Sequence, residues 1–294
     1  MKKLTSKQAD LMLLLVAFFW GTGFTVTKLA LEIYTTVQLL FLRFIIASVV
    51  SAFIFRKNLK NTTKSDIKAG VIMGIFLAVG YVFQTIGLEG TSTGNSAFLT
   101  GTNVVMVPFF YYIVTKIKPG RNNLIAAGLM FFGIILLTVD FENFGKFNIW
   151  DFLTLLSAIC FAWQVVTTGI FASDKDPATI STIQIFTCAS IFLIMAAFEG
   201  KSIAVNTQGT LSMLYLSLVA TLLCFLMQTM GQKYTSTTHA AIILCLESVF
   251  GSLLGVLILN EKYTVSTIVG FVVIFIAVLT AELGLDWLIK RRPQ

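Results

Sequence analysis

The chain has 294 residues, of which 56% are hydrophobic and only 12% charged, and its formal charge is +7. Ordinary soluble domains carry roughly 25% charged residues, so this composition cannot cover a water-facing surface and excludes a cytosolic enzyme and a disordered chain. The basic residues stand between apolar runs instead of forming one patch, which excludes a nucleic-acid-binding module.

In chain order the apolar runs occupy 11–31, 37–55, 67–88, 94–115, 122–139, 150–171, 178–198, 211–230, 238–259 and 265–283. A helix of about 20 such residues crosses the roughly 30 Å hydrocarbon core. Membrane barrel strands alternate over about ten residues, whereas these runs are continuously apolar, and a helix satisfies its backbone polar groups within one segment. The fold class is therefore all-α, a polytopic membrane protein of ten transmembrane helices. Lys2, Lys3 and Lys7 precede the first run as they would in a signal peptide. That run is too long for one, holds Trp20-Gly21 at its middle and lacks a small-residue cleavage site, so it is read as retained. The longest connections, 56–66 and 140–148, leave no room for an extramembrane domain, which assigns the function to the bilayer. Cys160, Cys188, Cys224 and Cys245 lie inside runs without metal-type spacing and read as small buried hydrophobes.

Lys and Arg are retained on the cytoplasmic side. A cytoplasmic N-terminus puts 16 of the 21 basic residues inside, leaving Lys28, Lys146, Lys201 and Lys262 outside and Arg43 within the second span. Both termini are then cytoplasmic, and the protein belongs in the cell membrane.

Self-comparison at an offset of 144 aligns QTIGLEGTSTGNSA from Gln84 with QTMGQKYTSTTHAA from Gln228, with identical Gln, Thr, Gly and TST positions. A slightly shorter offset sets Asp10 opposite Asp151, so the repeat reaches the first helix of each half. The halves are 1–144 and 145–294, with five helices each. An odd number makes the second copy enter from the opposite side, related to the first by a pseudo-two-fold axis in the membrane plane. Such inverted repeats let one scaffold expose a central site alternately to either side, as in secondary transporters.

The chain resembles the drug/metabolite transporter superfamily, in its EamA-like group of ten-helix carriers. The likeness rests on WGTGFTVTK from Trp20, LRF around Arg43 and TSTGNSAFLT before the fourth span, then on TSTTHAAIILCLESVFGSLLGVLILNEKYT across the ninth and Gly270 in the tenth. It covers essentially the full length. Two departures stand out. The Glu-Pro pair common in the ninth helix reads Glu247-Ser248, which weakens the expectation of a kink there. The Glu that often closes the fourth helix is replaced near Lys116, so the gates of the two halves are not equivalent. The resemblance implies export, or proton- or metabolite-coupled exchange.

Counting about 1.5 Å per helical residue puts Glu247 about 14 Å into its span, near the midplane. Trp20, Asn103 and Trp163 reach the same layer, and Asn103 is the repeat partner of Glu247. A carboxylate at the bilayer centre costs about 2.5–3.5 kcal/mol on insertion scales and rarely faces lipid. Glu247 is thus the strongest candidate for substrate binding and for proton coupling, the alternative being a permanently protonated or paired carboxyl that fixes packing. Arg43, about 10 Å below the outer surface by the same count, is either its counter-charge or a side chain that snorkels outward. Trp20 and Trp163 offer broad faces to an apolar or cationic substrate, against core packing as the alternative. Tyr81 and Gln84 share a helix face nearer the outside, and Gln228 lies nearer the cytoplasm; both amides equally suit interhelical hydrogen bonds. His239, the only histidine, sits at the cytoplasmic entrance of the ninth helix and is a second proton candidate or a cap. Gly251 and Gly255 form a GxxxG suited to close helix approach, within the bundle or across a homodimer.

No catalytic residue, metal site or cofactor is expected: there is no paired-carboxylate arrangement, ligand cluster, phosphate-binding glycine loop or nucleophile with its base. The reading is a secondary active transporter that moves a small neutral, zwitterionic or weakly cationic organic metabolite, such as an amino acid, by alternating access. Its partners are that small molecule and the lipid bilayer. The rivals are a membrane channel and a non-transporting membrane enzyme or assembly partner.

Overall fold

A computed structural model of the chain describes residues 4–138, 149–203, 206–259 and 265–283, all of them in helices, turns and short connections. The boundary expected at 144, the loop 140–148 and the basic residues Lys2, Lys3, Lys146, Lys262, Lys290, Arg291 and Arg292 lie outside these residues.

The helices are α1 (Ser6–Leu31), α2 (Thr36–Ile54), the single turn α3 (Arg56–Leu59), α4 (Lys64–Gly90), α5 (Thr93–Gly101), α6 (Asn103–Thr115), α7 (Arg121–Thr138) and α8 (Ile149–Ala172). They continue with α9 (Pro177–Glu199), α10 (Thr207–Leu214), a π-helical stretch (Tyr215–Leu223), α11 (Cys224–Gln232), α12 (Thr237–Leu244), α13 (Glu247–Leu259) and α14 (Val265–Leu283). Several of their starts are written in capping residues, whose side chains occupy backbone donors that a first turn leaves free. Thr5, Thr35 and Thr63 form reciprocal capping boxes with Gln8, Gln38 and Asp66. The repeated TST turn has the same explanation. Ser92 accepts from the Asn95 N–H at 3.1 Å and its repeat partner Ser236 from the His239 N–H at 3.3 Å, so each starts one half-helix.

Eight segments among the described residues are long and apolar enough to cross a membrane, among them Thr93–Thr115, Thr207–Gln232 and Thr237–Ile258 taken as single spans. The chain is an integral multi-pass membrane protein. The two remaining expected spans fall on α7 and α14, which pack on each other.

The fourth and ninth spans are each interrupted at the same place in the repeat. Around Thr102 the bonds tighten to three-residue reach, Thr102 N–H to Leu99 O (3.3 Å) and Val105 N–H to Thr102 O (3.2 Å). Around Cys245 and Leu246 the same happens: Leu246 N–H to Ile243 O and Ser248 N–H to Cys245 O are each 3.1 Å. The ninth span is therefore interrupted although no proline stands there, and tightened turns mark the break. The two interruptions are also tied together, by Cys245 Sγ to Gly101 O (3.0 Å) and Ser248 Oγ to Ala97 O (2.8 Å). Lys116 closes α6 in the left-handed region, with φ 58°.

Packing obeys the repeat by exchange. Gly87 on α4 admits Trp150 and Thr154 of α8, and its partner Gly231 on α11 admits Ala9 and Leu13 of α1, which the shorter offset equates with Trp150 and Thr154. Likewise α5 packs on α13 while α12 packs on α6, and α2 packs on α9. Each half thus lays its third helix on the other's first, a two-fold relation written in contacts. Of the three apolar clusters that result, the two larger lie around Val16, Val104, Ala162 and Ile242 and around Phe44, Leu77, Phe192 and Phe225. Trp20 packs against both, so the seam between them runs through the middle of α1.

Candidate functional site

A cavity open to solvent, with about 730 Å³ of atom-free space when that solvent is included, lies on that seam. Of the residues singled out from the sequence, it brings together Trp20, Arg43, Tyr81, Gln84, Asn103 and Glu247. Its walls are made in repeat pairs. Tyr81 faces Phe225, Thr100 matches Leu244 and Asn103 matches Glu247 at the longer offset, while Trp20 matches Phe161 and Gly23 matches Gln164 at the shorter; all ten line the space.

Asn103 and Glu247 are the first residues of α6 and α13, immediately after the interruptions. Glu247 is only 7% exposed, and among the described residues its carboxyl makes no ion pair. Neither its carboxyl nor the Asn103 amide makes a protein hydrogen bond among those residues. Glu247 is buried and Asn103 half-buried, and both line the cavity, so their polar groups are open to something that enters it. Gln84, by contrast, donates to Thr100 Oγ1 at 3.0 Å.

Arg43 neither snorkels nor pairs with Glu247. It is 4% exposed and donates from Nε to Thr221 Oγ1 (2.6 Å) and from Nη2 to Tyr81 Oη (2.9 Å) and Ala220 O (3.2 Å). Its guanidinium carbon also stands 4.5 Å from the Tyr81 ring centroid. Trp20 Nε1 donates to the same Ala220 carbonyl at 3.0 Å.

Three expected residues do not line the cavity. Trp163 is stacked between Phe110 and Phe76, at centroid distances of 4.7 and 5.7 Å, and serves packing. Gln228 is fully buried and exchanges amide hydrogen bonds with Gln164, each 3.1 Å, one layer behind the wall. His239 lies at one end of the bundle, where its Nε2 is 3.3 Å from Asp10 Oδ1 and joins the starts of α12 and α1. Of the GxxxG pair, Gly251 sits within the bundle, close to Gly21 and against Ala97 and Phe24.

Gln164, Thr100, Phe161 and Phe225 were missed. The signal for the last two was available, since each is the repeat partner of an aromatic residue already chosen. Gln164 joins Gln184, Gln228 and Thr168 in a buried cluster of amides and a hydroxyl.

Comparison with known proteins extends over the whole chain. The model of the EamA-like transporter family matches residues 7–139 and again 148–281, once per half. A protein of Archaeoglobus fulgidus described as an uncharacterized transporter is 32% identical over 94% of this chain and 86% of its own length. A probable amino-acid metabolite efflux pump of Escherichia coli is 22% identical over 96% of this chain and 97% of its own. One crystal structure superposes with a TM-score of 0.80 at 14% identity, covering 97% of this chain and all of that one, and so shares the fold. With both halves matched by one family model, the chain belongs to the EamA-like transporter family.

Proposed function

We propose that the protein is a secondary carrier of a small organic metabolite, working by alternating access across the cytoplasmic membrane. Its ten spans form two inverted five-helix copies with both termini in the cytoplasm. The observation that carries the reading is the pair Asn103 and Glu247: repeat partners at the heads of two interrupted helices, lining the cavity without a hydrogen-bond or ion-pair partner among the described residues. Interrupted helices meeting near the midplane are where inverted-repeat carriers hold cargo.

Polar contacts at the two ends of the bundle supply the gates. At one end His239 meets Asp10. At the other, Lys28 donates to the carbonyls of Leu88 (2.6 Å) and Thr91 (3.0 Å), and Thr91 meets Asp151. Aromatic walls beside an amide and a carboxyl suit an amino-acid-like substrate, in keeping with the name of the Escherichia coli relative. Glu247 carries the proton. Saturable counterflow in proteoliposomes distinguishes this carrier from a channel, which cannot produce it. Glu247→Gln should stay folded and retain counterflow while losing its pH dependence; unchanged pH dependence would reject the proton role.

A further inference from the structure

The π-helical stretch Tyr215–Leu223 in the eighth span has no counterpart in the third span, where α4 runs regularly from Lys64 to Gly90. Its consequence is local and chemical. In a regular α-helix the N–H of Cys224 would bond to Ala220 O; here it bonds to the carbonyls of Val219 and Thr221. The Ala220 carbonyl accepts instead from Trp20 Nε1 and Arg43 Nη2. Thr221 Oγ1 donates back five residues to Leu216 O at 2.7 Å and accepts from Arg43 Nε at 2.6 Å. The widened turn therefore fixes one side of the guanidinium through two acceptors, and Tyr81 Oη takes a third donor.

Five N–H donors belong to an arginine, and these contacts use only those on Nε and Nη2. Among the described residues Nη1 has no hydrogen-bond acceptor, and Arg43 makes no ion pair. Yet the side chain is buried and lines the cavity. An uncompensated cation inside a membrane protein is expensive, and a fixed guanidinium with the N–H donors of Nη1 left open suits a charge-assisted bond to an anionic oxygen. We propose that Arg43 is a carboxylate-binding subsite of the cavity, oriented by the π-helical stretch, with Thr221 as its positioning residue. The proposal rests on reading the cavity as the substrate site. It narrows the cargo to a compound with one carboxylate and an apolar body held by Trp20, Phe161 and Phe225.

Three matched probes test it by thermal shift on the purified full chain: leucine, 4-methylpentanoate, which lacks the amine, and leucinol, which lacks the carboxylate. A ligand that binds the folded state raises its melting temperature with concentration. Leucine and 4-methylpentanoate should stabilise the wild type, and leucinol should not. Thr221→Val should weaken the half-effect concentration of both carboxylates by about tenfold, the scale of one lost charge-assisted bond, while Thr221→Ser, which keeps the hydroxyl, should restore it. Arg43→Gln should abolish both shifts; should it fail to fold, the Thr221 pair decides. Leucinol acting as well as leucine, or Val and Ser behaving alike at 221, overturns the subsite and leaves the cavity reading standing. No shift from any probe also overturns the subsite. Loss of counterflow altogether would overturn the carrier reading itself.

Discussion

Gly21 sets how near α1 comes to Glu247. A Cβ at this position would lie 2.5 Å from Phe250 Cβ and 2.9 Å from both Glu247 O and Gly251 N, two backbone atoms that cannot swing aside. Gly21→Ala should therefore destabilise the protein by about 1–3 kcal/mol, the usual penalty of overpacking, read as a lower melting temperature in detergent; an unchanged melt would show that α13 yields freely. At this scale the sequence told depth but not direction. Trp163 and Gln164 are adjacent and equally deep, yet successive helical residues turn by about 100°, so Gln164 lines the cavity while Trp163 stacks between Phe76 and Phe110. Depth likewise could not tell whether Arg43 turns inward, because the acceptors that hold it come from a distant span.

At the scale of helices, the apolar runs and the TST turns were legible because hydropathy and capping are local. Ser236 is the clearest case. Its side chain accepts from the His239 N–H, so Ser236→Ala should cost about 1 kcal/mol, measured by thermal or denaturant melting, with Ser92→Ala as its repeat counterpart; no loss in either would deny that these turns are caps. The interruptions at Thr102 and at Cys245–Leu246 were not legible. Neither carries proline, and bonds of three-residue reach can be adopted by any side chain. The π-helical stretch was hidden for the same reason. Its residues, YLSLVATLL, are those of an ordinary apolar helix, and only the side chains of Trp20 and Arg43, far away in sequence, collect the carbonyl it releases.

Across the whole molecule, the repeat was the sequence signal that reached furthest. The TST identity predicted two equivalent halves, and Gly87 on Trp150 and Thr154, with Gly231 on Ala9 and Leu13, show the third helix of each half packed on the first of the other. A cavity walled by repeat partners follows from that exchange, since whatever one half presents at the seam the other presents from the opposite side. Departures from symmetry stand at the cavity: Glu247 opposite Asn103, and Arg43 without a basic partner in the second half.

Accessibility of the cavity from the two membrane faces tests this account most directly. In a Cys160→Ala background, with the other native cysteines buried, Asn103→Cys should react with an impermeant thiol reagent from either face. Bridging Asp10→Cys to His239→Cys with a short bifunctional reagent should then stop labelling from the face where α1 begins and preserve it from the other. Labelling that continues from the bridged face, or that was confined to one face from the outset, would contradict alternating access.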